Sequence, residues 1–141
     1  MLSLLPATVG GEQLVSVVYK GKEALTADSQ KAFRPVLKEQ GKTIDDVTLA
    51  AAYTPNGTQL QGFRIAGGDA APLEPVLLKF MKDTGQVDKK ATATPAQVAG
   101  KAVSRVKTSS GDAYLYPKGE VLWLVLAANE ADLTEVFTAL P

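Results

Sequence analysis

Apolar and polar residues alternate with a period of two in Val47–Tyr53 and Gln61–Ile65, the two segments that flank Pro55-Asn56-Gly57. This period places alternate side chains on opposite faces of a β-strand. Because Asn-Gly is a strong signal for a tight turn between antiparallel strands, the pattern predicts a β-hairpin. A second hairpin is predicted from Ala113–Tyr116 and the apolar run Val121–Ala128, which we expect to be the most buried strand.

Three segments carry the apolar spacing of an amphipathic helix. The last is predicted to begin at the N-cap residue Asn129, with an apolar stripe at Leu133, Val136, Phe137 and Leu140. A second helix is predicted to begin near Pro72 and to end at Gly85. The remaining helix, about Ser29 to Gln40, contains Pro35, which is expected to kink it or split it in two.

Two further strands, Val15–Tyr19 and Val103–Val106, bring the number of predicted strands to six. Each follows a Pro-Ala-x-Val-x-Gly segment, and these segments begin at Pro6 and Pro95, 89 residues apart. Both segments are predicted to form a turn that begins at the proline and leads into the strand. Similar segments at a fixed distance are typical of an internal repeat.

A second match supports the same interpretation. The helical segments that begin at Leu73 and Leu133 share their apolar spacing at a distance of 60 residues. The two matches predict duplicated halves at about 5–85 and 94–141, with one extra helix in the first half. Chance similarity between short segments rich in Ala, Val and Gly is the alternative.

Composition and charge exclude several classes of function. The 141 residues carry 15 basic and 15 acidic side chains, and this net charge of zero gives no bulk electrostatic attraction to nucleic acid or to an acidic membrane surface. Histidine and cysteine are absent, which excludes Ser/His/Asp triads, cysteine nucleophiles, Cys/His zinc sites and His-ligated haem. We therefore expect a domain that is not an enzyme, with no metal and no cofactor.

The remaining polar motifs favour structural roles. Asp45-Asp46 is the only adjacent pair of carboxylates, but together with Thr43 it is more typical of a turn ahead of a strand than of acid–base chemistry. Gly67-Gly68-Asp69 precedes a helix and has the spacing of a strand-to-helix turn. Two glycines alone are a weak match to a phosphate-binding loop.

The candidate interaction residues lie on two predicted strands. Lys101, Arg105 and Lys107 concentrate positive charge on one strand, for which a solvated face is the simpler explanation. Tyr114 and Tyr116 share one face of the next strand and are the candidate aromatic contacts with a partner.

Three segments carry a resemblance to known sequences. The opening Leu5–Gly11, the segment Gly41–Val47 before an Ala-rich strand and the closing Ala139–Pro141 resemble uncharacterised bacterial domains that often follow a signal or lipoprotein leader. This resemblance implies export or a cell-surface location with the leader removed. It implies no activity, because its motifs are turns and caps.

These patterns predict one α+β domain over residues 1–141, a two-layer sandwich. We expect a mostly antiparallel six-stranded sheet with about three helices on one face and a pseudo-twofold axis between the halves. The longest apolar run, Val121–Ala128, is too short for the ~20 residues of a transmembrane helix, so no membrane-spanning segment is expected.

The function predicted from the sequence is a non-catalytic, extracytoplasmic interaction or structural module that binds a protein partner. The alternative is a carrier of a small apolar ligand, held between sheet and helices over Ala50–Ala52. A carrier would need an apolar cavity of ~300 Å³ or more, whereas an interaction module would have a contiguous exposed apolar patch. A monomer is favoured over a weak homo-oligomer, because the basic strand Lys101–Lys107 has the side chains that guard a sheet edge.

Overall fold

The computed structural model describes residues 2–141 of the chain. Its helices are α1 (Ala27–Glu39), α2 (Leu73–Asp83) and α3 (Glu130–Ala139), with short 3-10 turns at Gly21–Glu23 and Ile44–Asp46 among others. Its strands are β1 (Thr8–Val9), β2 (Glu12–Gln13), β3 (Val15–Lys20), β4 (Val47–Tyr53), β5 (Gln59–Ile65), β6 (Thr94–Val98), β7 (Lys101–Thr108), β8 (Gly111–Lys118) and β9 (Val121–Leu126).

Seven strands form one antiparallel sheet in the order β3-β4-β5-β9-β8-β7-β6, and β1 pairs with β2 in a separate ribbon. The α+β class and the antiparallel sheet predicted from the sequence are therefore confirmed. The pairing of β5 with β9 joins the two parts of the chain, and there Gly62 lies opposite the fully buried Trp123. A glycine at this position leaves room for the indole ring beside it.

The strand β9 is buried on both faces, as expected of the most buried strand. Leu122 and Leu124 pack into a cluster with side chains of α1 and α2, whereas Trp123 and Val125 pack into a second cluster with α3. Since neighbouring residues of a strand point to opposite faces, α1 and α2 cover one face of the sheet and α3 covers the other. The expected two layers with all helices on one face are wrong, because an all-apolar strand needs cover on both sides.

The sheet has seven strands, and β6 is the one that the sequence pattern missed. The sequence predicts a turn at Pro95, but Pro95 lies within β6, opposite Ser104 of β7. Proline has no amide hydrogen to donate and is tolerated on an edge strand. The basic strand β7 is consequently interior and does not guard an edge, which removes the reason for which the sequence favoured a monomer.

Both halves of the chain contribute a three-stranded meander and a helix, with α1 inserted in the first half. The matching turns at Gly10-Gly11 and Ala99-Gly100 also share a backbone conformation, with positive φ at all four residues. A twofold axis that exchanged the antiparallel neighbours β5 and β9 would run perpendicular to the sheet and keep both helices on one face. Because α2 and α3 lie on opposite faces, the duplication remains a prediction for the strands and turns alone.

The helix boundaries follow the capping signals in the sequence. The side chain of Asn129 accepts a hydrogen bond from the amide of Asp132 and caps α3, and α2 begins directly after Pro72. Pro35 does not split α1, which is one helix from Ala27 to Glu39. Its ring lies on the exposed side of α1, where the carbonyl that it leaves without an amide partner can bind water.

Candidate functional site

The edge strand β3 presents a row of apolar side chains to solvent. Val15, Val17 and Tyr19 are 48%, 43% and 42% exposed, and Tyr53 on the neighbouring strand β4 is 53% exposed. These are the large apolar residues of the described chain that are exposed. Scattered exposed apolar residues are ordinary, but four on one pair of strands form a patch.

The register of β3 with β4 explains why these side chains share one face. Val15 lies opposite Tyr53, Val17 opposite Ala51 and Tyr19 opposite Leu49. Residues directly opposite each other point to the same side of a sheet, and Leu49 packs against the core under α1 and α2. The row therefore continues the face that α1 and α2 cover, beyond the reach of these helices.

The backbone of β3 is open along its outer side. β3 is the first strand in the sheet order, so no described strand pairs with its outward amide and carbonyl groups. Proteins usually protect such an edge with charges, proline or bulges. Within β3 only Lys20, at its end, is charged, and the pairing with β4 runs without interruption from Val15 to Lys20.

A groove lies on the same face of the sheet, between the helices and strands β4, β5 and β9. Its volume is about 370 Å³, and its apolar lining includes Leu49, Phe63, Leu77, Phe80 and Met81. Polar side chains also reach it, among them Thr26, Ser29, Gln59, Gln61 and Ser109. It is an open groove with a mixed lining and not an enclosed apolar cavity.

A second, basic groove of about 600 Å³ runs beside α1. A single carboxylate, that of Asp45, lines this groove. Five cationic side chains line it as well: Lys22, Lys31, Arg34, Lys38 and Lys42. None of these five forms an ion pair with a residue of the described chain. The spacing of 31, 34 and 38 places three of them on one side of the helix. This cluster was not among the candidate sites predicted from the sequence, although its spacing could have indicated it. A solvated helix face is the simpler explanation.

The structure places the predicted interaction residues differently from the sequence expectation. Tyr116 is buried and packs edge-on against Phe137 of α3, with ring centroids 5.8 Å apart. Its hydroxyl donates a hydrogen bond to the carbonyl of Pro141 at 2.7 Å. Tyr114 is half-buried against the same Phe137 ring, at 6.4 Å. The expected exposed aromatic surface therefore needs correcting, because α3 covers this face of the sheet.

Of the basic residues of β7, only Arg105 and Lys107 are exposed enough to contact a partner. Lys101 is half-buried, and its ammonium group donates to the carbonyl of Phe137 in the last turn of α3, a favourable place for a cation at a helix C-terminus. Arg105 and Lys107 are exposed and line a shallow groove together with Lys90. They share the α3 side of the sheet with the two tyrosines but lie on an interior strand.

A buried polar network ties the N-terminal ribbon and the β4–β5 hairpin to α3. The buried carboxylate of Asp132 accepts hydrogen bonds from the side-chain amide of Asn56 and from the Thr58 hydroxyl, both at 3.0 Å. The amide of Gly10 donates to Glu135 at 2.8 Å. Each of these contacts satisfies a polar group, so the network holds the ribbon and the hairpin against α3.

The polar motifs singled out in the sequence have the structural roles that were expected. The amide of Thr43 donates to the Asp46 carboxylate at 2.9 Å, which closes a turn before β4. The amide of Gly67 donates to Glu120 at 3.0 Å, and Arg64 donates to the same carboxylate at 2.8 Å. These hydrogen bonds favour the charged form and hold the pKa of Glu120 below its usual range.

Within residues 2–141 no group of three or more acidic side chains is arranged to hold a metal ion. No helix in this part of the chain is long and apolar enough to cross a membrane. Comparison with protein-family models, with curated proteins and with solved structures finds no match for this chain. The geometry of the sheet edge and the grooves is therefore the basis for a functional proposal.

Proposed function

We propose that this domain is a non-catalytic interaction module that binds a protein partner by adding an extended segment of that partner to β3. The observation that carries the proposal is the combination of an unpaired sheet edge with three exposed apolar residues at alternate positions, Val15, Val17 and Tyr19. In strand addition, the main-chain hydrogen bonds give affinity and the alternating side chains give selectivity.

The size of the apolar row suits weak, exchangeable binding. Fully burying a Val or similar side chain stabilises by about 1.5–3 kcal/mol. Val15, Val17 and Tyr19 are already about half covered, so a partner strand would gain roughly 1 kcal/mol from each. The partner should carry apolar residues at alternate positions on the side that faces this row.

The non-catalytic part of the proposal rests on the sequence, which has no histidine and no cysteine. The adjacent carboxylates Asp45 and Asp46 support it, because they do not face one groove together: Asp45 lines the basic groove, whereas Asp46 accepts a hydrogen bond from the amide of Thr43 at 2.9 Å. An extracytoplasmic setting is proposed on the leader-associated sequence resemblance alone.

Selection from a library of random peptides displayed on phage tests this function. Peptides are selected on the wild-type domain and counter-selected on Val17→Lys, which places a charge in the exposed row. We expect enriched peptides with alternating apolar residues that bind wild type at least tenfold more tightly than Val17→Lys. Gln97→Lys on the opposite edge strand is the matched control and should bind like wild type. Peptides that bind all three proteins equally would contradict the proposal.

The second candidate function, a carrier of a small apolar ligand, is supported by the 370 Å³ groove over β4, β5 and β9. The groove is lined by Leu49 of β4 and by none of Ala50–Ala52, the residues over which the sequence predicts the ligand. Its size is sufficient, but its open mouth and polar residues favour it less than the apolar row. Titration with a fluorescent fatty acid separates the two functions. A carrier would bind at micromolar concentration, lose binding in Gln61→Phe, which fills the groove, and keep it in Val17→Lys.

A further inference from the structure

We infer that β3 pairs with β3 of a second copy of this chain, antiparallel, with Val17 opposite Val17 across a twofold axis. The inference rests on the proposed function, because it identifies the protein partner of the same edge. It concerns association in solution between two folded copies.

The sequence of β3 is self-complementary in this register. Val17 faces its own counterpart, and Val15 of one copy faces Tyr19 of the other, so each residue of the apolar row meets another apolar residue. A shift by two residues in one direction places Tyr19 opposite Gln13, and in the other direction it places Val15 opposite Gly21. Among these face-matched registers, only the one centred on Val17 pairs the whole row.

The neighbouring strand extends the same complementarity. Tyr53 lies opposite Val15, and Leu49 lies opposite Tyr19. Across the joined sheets one row would therefore read Tyr53, Val15, the partner's Tyr19 and the partner's Leu49. All four exposed apolar residues of each copy lie in the seam or directly beside it. A strand of another protein would need apolar residues at the same alternate positions, whereas β3 of a second copy has them.

Charge also favours the antiparallel arrangement. The basic groove begins at Lys22, two residues beyond the end of β3, whereas the acidic Glu12 precedes β3. Antiparallel pairing brings the Lys22 end of one copy beside the Glu12 end of the other and keeps the two basic grooves apart. The net charge of zero does not oppose the association.

The expected dimer is weak. Six residues per copy form the shared edge, and such a contact is smaller than a standard interface of about 1,600 Å². The pairing would join two sheets of seven strands into one continuous sheet of fourteen strands. We expect the dimer to dissociate on dilution, with a dissociation constant of about 10 μM to 1 mM, the range of weak interfaces.

Sedimentation and disulfide trapping test the inference, and the absence of native cysteine makes single-cysteine variants unambiguous. The mass should rise from 14.8 kDa towards twice that value with concentration in the wild type. It should stay at 14.8 kDa in Val17→Lys and rise as in the wild type in Gln97→Lys. Thermal unfolding of both variants shows whether each remains folded.

The register is tested by cross-linking. Directly opposite residues have Cα atoms about 4.5–5.5 Å apart, within reach of a disulfide. Val17→Cys should cross-link to itself at least tenfold faster than Gln97→Cys. Val15→Cys should cross-link to Tyr19→Cys when the two proteins are mixed, and faster than either alone.

Three results would overturn the inference: a mass independent of concentration, equal cross-linking at 17 and 97, or faster cross-linking at 97. A monomer that still selects β3-dependent peptides would refute the dimer and leave the proposed function intact. A monomer that selects none would refute both.

Discussion

The two outer strands of the sheet, β3 and β6, differ in whether their sequences protect the exposed edge against pairing. The strand β6, with sequence Thr-Pro-Ala-Gln-Val, has a proline in its second position and turns only Val98 fully into the core. The strand β3, Val-Ser-Val-Val-Tyr-Lys, is free of proline and exposes β-branched and aromatic side chains. Proline removes a donor and polar side chains disfavour a neighbour, so β6 is protected against pairing and β3 is not.

The sequence therefore protects only one of the two edges of the sheet against pairing. A chain that protects one edge and leaves the other open limits association to a single side of the sheet, which gives a closed pair and not an extended fibre. Aggregation through the free edge would then be limited to dimers. The following experiments test the contrast, beginning with the largest expected effect.

Gly10→Ala should destabilise the fold by roughly 2–4 kcal/mol. Its φ of +62° is unfavourable for alanine, and a Cβ there would lie 2.5 Å from the buried Asp132 carboxylate, which adds overpacking to the backbone strain. Gly11→Ala is the matched control, because its φ of +77° imposes strain but nothing lies within 4 Å. It should cost about 1 kcal/mol. Urea unfolding measures both, and equal losses would contradict the role of Asp132.

Removing the protection of β6 should create a second association site. Pro95→Val with Gln97→Val gives this edge an apolar row like that of β3. Made in the Val17→Lys background, the double change should strengthen self-association at least tenfold, about 1.4 kcal/mol. Sedimentation across a concentration series measures it. If the protein with all three changes stays monomeric, proline and polarity are not what protects β6.

Ala99→Gly should stabilise the fold by about 0.5–1 kcal/mol. Ala99 has a φ of +51° in the turn that joins β6 to β7, and glycine adopts this conformation without steric strain. The matching position before β3 already holds Gly10, so the substitution makes the two turns alike. Thermal unfolding measures the shift, with Ala102→Gly in β7 as a control that should not stabilise.

Glu120→Gln should have the smallest effect, and one that depends on pH. Arg64 and Gly67 lower the pKa of Glu120 in the folded state, so its charge stabilises the fold above the unfolded pKa, close to 4.5. This contribution is lost as pH falls through the folded pKa. The difference in unfolding free energy between wild type and variant should therefore be present at pH 7 and vanish in acid. High salt should also reduce it, since the pair is partly exposed.

Local signals in the sequence predicted the elements that depend on local chemistry. The Asn56-Gly57 turn, the Asn129 cap and the apolar run of β9 were sufficient for the β4–β5 hairpin, α3 and the buried central strand. These features are determined by a few neighbouring residues.

The edges could not be predicted in this way. Pro95 was typical of a turn, and only pairing with β7 makes it part of a strand. The exposure of Val17 depends on how far α1 and α2 extend over the sheet, which no pattern within β3 specifies. For the same reason Tyr116 was a candidate for the surface, although α3 buries it. Coverage of a sheet face is a property of the whole fold, and periodicity alone does not contain it.

The central seam of the sheet has a consequence for synthesis of the protein. β5 pairs with β4 on one side and with β9 on the other, where Gly62 lies opposite Trp123. Because β9 comes much later in the chain, β5 lacks this second neighbour until β9 has been synthesised. At about 5–20 residues per second, the ribosome leaves the inner edge of β5 without its partner for on the order of 3–12 s. During that interval Leu60 lacks the α3 cluster that later covers it, so a nascent chain halted after α2 should be a good chaperone client. During synthesis, the strand with an unpaired edge is therefore also β5, although β5 is an interior strand of the complete sheet.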